Sequence, residues 1–195
     1  MSTAPDPLRV SVIIGSSREG RFGPTVATWF IDHARQRENL ALDVIDLVEA
    51  PLALAPGAAS PGSRREAEEL SERLRTADAF VVVTPEYNHS FPASLKSVID
   101  AHSTEWRAKP VGFVSYGGLG GGLRAVEQLR LVFAELHAVT VRDSVSFHTA
   151  WERFDGEGSL IEATMYEGSA KGMLDQLTWW ATALREAKAV RPYEV

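Results

Sequence analysis

The 195-residue chain contains no cysteine, which excludes disulfides, thiol nucleophiles and thiolate-ligated metals. No apolar run approaches the length of a membrane span, and the opening "MSTAPDPLR" is too short and polar for a secretory signal. The resulting expectation is a cytoplasmic protein with no membrane partner. Positive charge is in deficit: 20 Lys and Arg face 26 Asp and Glu, for a formal net charge of −6. Phosphate backbones demand clustered cations, so no nucleic-acid partner is expected. The histidines (33, 89, 102, 137 and 148) are scattered, without a second ligand at metal spacing. A metal site is therefore not expected. There is no G-x-S-x-G elbow, since Glu19 stands in the place of its last glycine, and no carboxylate pair stands out.

What is present is an ordinary globular composition, 45% apolar and 24% charged, in a length suited to one domain. We read residues 1–195 as a single domain, with 1–8 flexible and 189–195 a C-terminal tail. The runs "RVSVII" (9–14), "AFVVVT" (79–84) and "KPVGFVSYGG" (109–118) read as buried strands. "LALDVIDL" (40–47) alternates like an edge strand, and "AVTVRDSV" (138–145) reads as a fifth. Helical patterns fill the gaps at 24–34, 63–76, 92–100, 122–136 and 165–188. Strands alternating with helices imply an α/β fold, a doubly wound parallel sheet of five strands covered on both faces. Ligands of such sheets bind at the carboxyl ends of the strands, and three loops at those ends have unusual composition. A further loop, "EAPLALAPGAASPGS", is too apolar for a linker and is expected to pack on the surface or on a partner.

The first loop, "GSSREGRFGPT", has the Gly15–Gly20 spacing of a nucleotide hydrolase, but Arg21 and Phe22 replace the required Lys and Ser/Thr. Without them, magnesium-dependent NTP chemistry loses its ligands. What remains is a metal-free cradle: hydroxyls from Ser16, Ser17 and Thr25, backbone N–H groups at a helix start, and Arg18 or Arg21 for charge. It suits a phosphate monoester; the alternative is a Gly/Ser-rich turn with solvated arginines.

The second loop, "PEYNHSF", follows a fully apolar strand. Pro85 ends the ladder, and Tyr87 and Asn88 can line a flat heterocycle or pack at the helix entry. Glu86 reads as a base, a ligand contact or a solvated side chain, with a packing or subunit contact favoured. The third loop contains Gly120-Gly121-Gly122-Leu123-Arg124-Ala125, a match to the dinucleotide fingerprint G-x-G-x-x-A with Asp143 about twenty residues on. Too little chain follows for the sheet that fingerprint requires, and Asp143 reads as mid-strand. The simpler reading is bare backbone at Ser115–Gly118, cleared for a ring and a second planar molecule.

Together, "GSSREGRFGPTVA", "TPEYNHSFPASLKSVIDAH" and "VSYGGLGGGLRAVEQLR" resemble the NADPH-dependent FMN reductase family, from about Arg9 to Val145. The resemblance implies a flavodoxin-like sheet in the order 2-1-3-4-5. It implies that Ser16, Arg18 and the turn Arg21, Phe22, Gly23, Pro24 and Thr25 hold the FMN phosphate. Pro85, Glu86, Tyr87 and Asn88 would border the isoalloxazine, and Ser115, Tyr116, Gly117 and Gly118 its other edge. Arg124 and Gly120 would lie toward the nicotinamide or a subunit boundary. No side chain is then a catalytic residue, because FMN passes hydride from NADPH or NADH to a small oxidised acceptor. A quinone, azo or nitro compound, or free flavin, fits that role, and family members resembling this chain are dimers or tetramers. "GRFG" departs from the "G-S-x-N"-like stretch of related quinone and chromate reductases, so phosphate contacts are shared differently. Two alternatives stay open: a flavodoxin-like electron carrier, and a reductase that supplies reduced FMN to a monooxygenase. The segment "WERFDGEGSL" and Trp179 and Trp180 lie outside the strong match.

Overall fold

Strands apolar at nearly every position need cover on both faces, and helices supply it. In the computed structural model, which describes residues 6–49 and 61–194, the described strands are β1 (Leu8–Ile14), β2 (Leu40–Asp46), β3 (Ala79–Pro85), β4 (Pro110–Gly117) and β5 (Val139–His148). They run parallel in the order β2-β1-β3-β4-β5. The expected topology is therefore the observed one. The helices are α1 (Gly23–Ala34), α2 (Pro61–Thr76), α3 (Ala93–Ala101), α4 (Leu123–Glu135) and α5 (Ala163–Val190), with a 3-10 turn at Ala150–Glu152. The apolar stretch Pro51–Pro56 lies outside the described residues.

Alternation divides each strand between two cores. Val10, Val12, Val81, Val83 and Val114 pack with Phe30 of α1 and Leu177 of α5. Ile13, Phe80, Val82 and Phe113 face the other way, against Leu74, Leu95, Leu129 and Phe133 of α2, α3 and α4. Each fully buried side chain of this kind contributes about 1.5–3 kcal/mol of transfer free energy. Because α1 leaves β1 on one face and α3 leaves β3 on the other, the chain parts between these neighbours. The crevice opens at their carboxyl ends.

Several boundaries differ from the sequence reading. β1 starts at Leu8, which the sequence reading left in the flexible terminus, and β2 stops at Asp46. α5 runs from Ala163 to Val190, taking in two residues of the expected tail. β5 continues to His148, three residues beyond the expected end, with Phe147 opposite Tyr116 and His148 opposite Gly117. The expected strand stops at Val145, whereas the alternation continues beyond it, with Ser146 half-buried and Phe147 buried. That extension matters for the site: it carries residues 146–151 up against the third loop.

Candidate active site

The first loop leaves β1 at Gly15. Its N–H donates to Val83 O at 2.9 Å, and Ser94 Oγ donates to its carbonyl at 2.7 Å, tying the loop to β3 and α3. A Cβ on Gly15 would stand 3.3 Å from both Val83 O and Leu95 Cδ2, a tight approach that glycine avoids. Ser16 is fully buried, and its hydroxyl shares a 2.6 Å hydrogen bond with Tyr87 Oη of the second loop. Ser17, Arg18 and Glu19 are exposed. Arg18 forms no ion pair among the described residues, and its guanidinium lies 5.8 Å from the Tyr87 ring centroid.

Arg21 behaves differently from Arg18. Its guanidinium forks onto the Asp46 carboxylate at the end of β2, with Nη2–Oδ2 at 2.6 Å, and Nη1 also donates to Ser16 O at 2.8 Å. Burial alone would raise the pKa of Asp46. The Arg21 hydrogen bonds, the Val48 N–H and the Arg21 charge outweigh it and hold the carboxyl below its ordinary value. Arg21 is thus a strap across the loop, already neutralised by Asp46. Phe22 is likewise turned inward, against Tyr116 (6.3 Å between centroids) and Phe154 (5.4 Å). From these two positions a phosphate is offered backbone rather than a free cation or hydroxyl.

The start of α1 has no side-chain cap, and Pro24 occupies its first turn. Uncapped N–H groups at a helix start carry partial positive charge and favour an anion. Tyr116 points here rather than toward the third loop. It is buried, and its hydroxyl stands 2.8 Å from where a Cβ on Gly23 would be. Burial pushes its pKa above the ordinary tyrosine value, so it remains a protonated donor. It makes no hydrogen bond among the described residues. An exposed arginine without a carboxylate, an uncapped helix start and an orphaned hydroxyl beneath it together fit a phosphate ester.

The second loop makes a tight turn. Tyr87 N–H and Ser90 N–H each donate to the other's carbonyl, at 2.8 and 3.0 Å, and Asn88 and His89 between them have φ of 50° and 71°. Two successive left-handed residues other than glycine cost energy and persist only where the surroundings impose them. Gln128 of α4 imposes them here: its Nε2 donates to His89 O at 2.7 Å, and its Oε1 accepts from Ser90 Oγ at 2.5 Å. Asn88 is left exposed at the tip, while Tyr87 is half-buried against the first loop.

Glu86 joins the second loop to the third. Its N–H donates to Tyr116 O at 3.1 Å. Its carboxylate accepts from Arg124 Nη1 at 2.6 Å and from the Arg124 N–H at 3.2 Å, which caps α4 from another loop. Within the chain Glu86 is held by Arg124, which is its partner rather than a free cation. The glycines that follow are largely fixed by these contacts. A Cβ on Gly120 would meet Arg124 Nη1 at 2.6 Å, one on Gly121 would meet His148 at 2.7 Å, and one on Gly122 would meet Ser115 Cβ at 2.6 Å. Gly121 and Gly122 also have φ of 57° and 83°. Ser115 is buried and donates to Gly121 O at 2.9 Å, so its side chain faces α4 rather than the crevice. The expected bare strip therefore shrinks to the backbone at Gly117 and Gly118.

Pattern reading missed Asp46, Ser94, Gln128 and the 146–151 segment, because each reaches the site across a strand order that local periodicity does not encode. The segment "TPEYNHSFPASLKSVIDAH", which carries the resemblance, contains Ser94.

This arrangement, an anion cradle at the β1 end and a flat opening between the β3 and β4 loops, defines a nucleotide-binding doubly wound protein suited to a flavin. The family model described as NADPH-dependent FMN reductase matches residues 8–152, and the chain belongs to that family: an oxidoreductase using FMN and NAD(P)H. An NAD(P)H-dependent FMN reductase of Schizosaccharomyces pombe is 38% identical over 120 residues, covering 58% of this chain and 60% of that protein. A quinone reductase of Escherichia coli K12 is 34% identical over 190 residues, covering 93% and 95%. Among solved structures, an NAD(P)H:(acceptor) oxidoreductase from Paracoccus denitrificans superposes with a TM-score of 0.67 at 21% identity, covering 88% and 98%. Among the described residues, no helix is long and apolar enough to cross a membrane.

Proposed function

We propose that the chain reduces a small oxidised acceptor, such as a quinone, an azo or nitro compound or a flavin, at the expense of NAD(P)H. The observation that carries this reading is the unsatisfied anion cradle at the start of α1, beside the strained Tyr87–Ser90 turn and the open Gly117–Gly118 edge. Bound FMN supplies the ring that takes and returns hydride. Arg18, the N–H groups around Gly23 and Thr25, and the Tyr116 hydroxyl hold its phosphate end. Ser16 acts from beneath, keeping Tyr87 in place. Pro85 to Asn88 border one side of the ring, and the backbone of Gly117 and Gly118 borders the other. N–H groups at that edge stabilise negative charge on the ring's polar rim. Arg124 and Gly120 take the nicotinamide side, with Glu86 orienting the guanidinium.

In the same reading the protein is a cytoplasmic homodimer or homotetramer. Trp179, largely exposed, and Trp180, about a third exposed, on α5 with ring centroids 5.1 Å apart, are the kind of surface that association covers. A monomer by light scattering with full turnover would count against assembly. The function itself is tested by an anaerobic visible spectrum of the FMN-loaded protein, taken before and after stoichiometric NADPH and then NADH. Bleaching of the flavin band within seconds is expected. A protein that stays yellow with both donors would be an electron carrier fed by a partner.

A further inference from the structure

Of the glycines in the third loop, Gly118 stands apart. Gly121 and Gly122 are required by neighbours and by backbone conformation, and a Cβ on Gly120 would displace the Arg124–Glu86 pair, whereas Gly118 does not sit in the left-handed region. A Cβ there would have a single neighbour within 4 Å, Trp151 Cη2 at an ordinary contact distance of 3.5 Å. Nothing among the described residues demands glycine at this position. What its absence of side chain preserves is clear space beside an indole.

That indole is 61% exposed yet stands on a fixed base. The neighbouring Ala150 is 1% exposed. The Thr149 N–H donates to Gly118 O at 2.9 Å, Arg153 Nε donates to His148 O at 3.1 Å, and His148 Nδ1 lies 2.9 Å from Leu119 O. Thr149 itself has a φ of 49°, a left-handed conformation that a β-branched residue adopts only under constraint. A large flat side chain is thus held in solvent next to the edge of the proposed cofactor site.

We propose that Trp151 is the aromatic wall of the acceptor pocket and selects planar, bicyclic oxidants such as naphthoquinones. The proposal rests on the reductase reading above. A two-ring acceptor spans the Gly118 gap and packs on the indole face or edge, which a single ring or an inorganic oxidant does not exploit. Trp151 adds binding, not chemistry, so it acts on acceptor affinity.

The test titrates 1,4-naphthoquinone into the oxidised, FMN-loaded full chain without donor, by calorimetry, for wild type, Trp151→Ala and Trp151→Phe. The chain has no cysteine, so thiol addition to the quinone does not compete. Trp151→Ala is expected to weaken binding about 5–10-fold and Trp151→Phe by less than about threefold. With NADPH as donor, the KM of Trp151→Ala for naphthoquinone rises by a similar factor, against less than about twofold for ferricyanide. A naphthoquinone Kd unchanged in Trp151→Ala overturns the wall, as does an equal loss for both acceptors. So does dissociation of an oligomer by Trp151→Ala in light scattering, which would mean that a second copy covers the indole. Trp151-dependent naphthoquinone binding in a protein that NADPH never reduces would support the wall and contradict the reductase reading.

Discussion

The first and third loops are both rich in glycine and arginine, yet their hydrogen-bonding states are opposite. In the third loop nearly every polar group is matched: Glu86 caps α4 and pairs with Arg124, and Ser115 and Ser146 both donate to Gly121 O. In the first, α1 starts uncapped, Arg18 has no carboxylate partner among the described residues, and the Tyr116 hydroxyl is orphaned. Composition does not separate a scaffold from a binding cradle. Which donors remain unmatched after folding does, because buried or converging donors without partners are costly unless a ligand supplies the acceptor.

The contrast is broken most severely at Gly122. Alanine there meets Ser115 Cβ at 2.6 Å and the Tyr116 nitrogen at 2.8 Å while holding a φ of 83°. Gly122→Ala is expected to lose about 2–4 kcal/mol of stability in urea unfolding. Gly118→Ala, with room for its Cβ, should lose less than about 0.5 kcal/mol but narrow the site. Equal losses at the two positions would erase the distinction between scaffold and ligand glycines.

Next in size is Arg18→Ala. Removing the unmatched cation of the cradle should weaken FMN binding about 10-fold while leaving the unfolding midpoint in place. Flavin fluorescence quenching measures the first quantity and thermal unfolding of the apoprotein the second. A shifted midpoint with unchanged flavin affinity would make Arg18 structural and the cradle misassigned.

The smallest effect concerns the Arg21–Asp46 strap. Asp46 has its pKa lowered in the folded state, so the unfolded chain binds more protons there as the medium acidifies. Its stabilisation is complete above the ordinary carboxylate pKa and disappears as pH falls through the depressed folded value. Asp46→Asn should cost about 1 kcal/mol near neutral pH and flatten the acid limb of the stability profile. An unaltered acid limb would show that the pair does not hold the loop.

The three central strands and the positions of the loops were legible because a doubly covered parallel strand is apolar throughout, and the turn residues that follow it are not. "AFVVVT" and the strand in "KPVGFVSYGG" could hardly be anything else. The partners inside the loops were not legible. Arg21 and Arg18 look alike in sequence, and only the placement of β2 beside β1 brings Asp46 to one of them. Tyr116 sits in the resemblance motif "VSYGG", but strand parity sends its ring toward α1 while Ser115 faces α4. Likewise, Gly121 is a glycine because β5 runs on to His148, past Val145 where the strand was expected to end.

The most direct measurement compares the affinities of FMN and riboflavin for the apoprotein, with wild type and Arg18→Ala side by side. If the first loop holds the phosphate, FMN should bind at least about 100-fold more tightly than riboflavin, and the gap should narrow in Arg18→Ala. Equal binding of the two flavins by the wild type would contradict the cradle and leave the unmatched donors of α1 to some other anion.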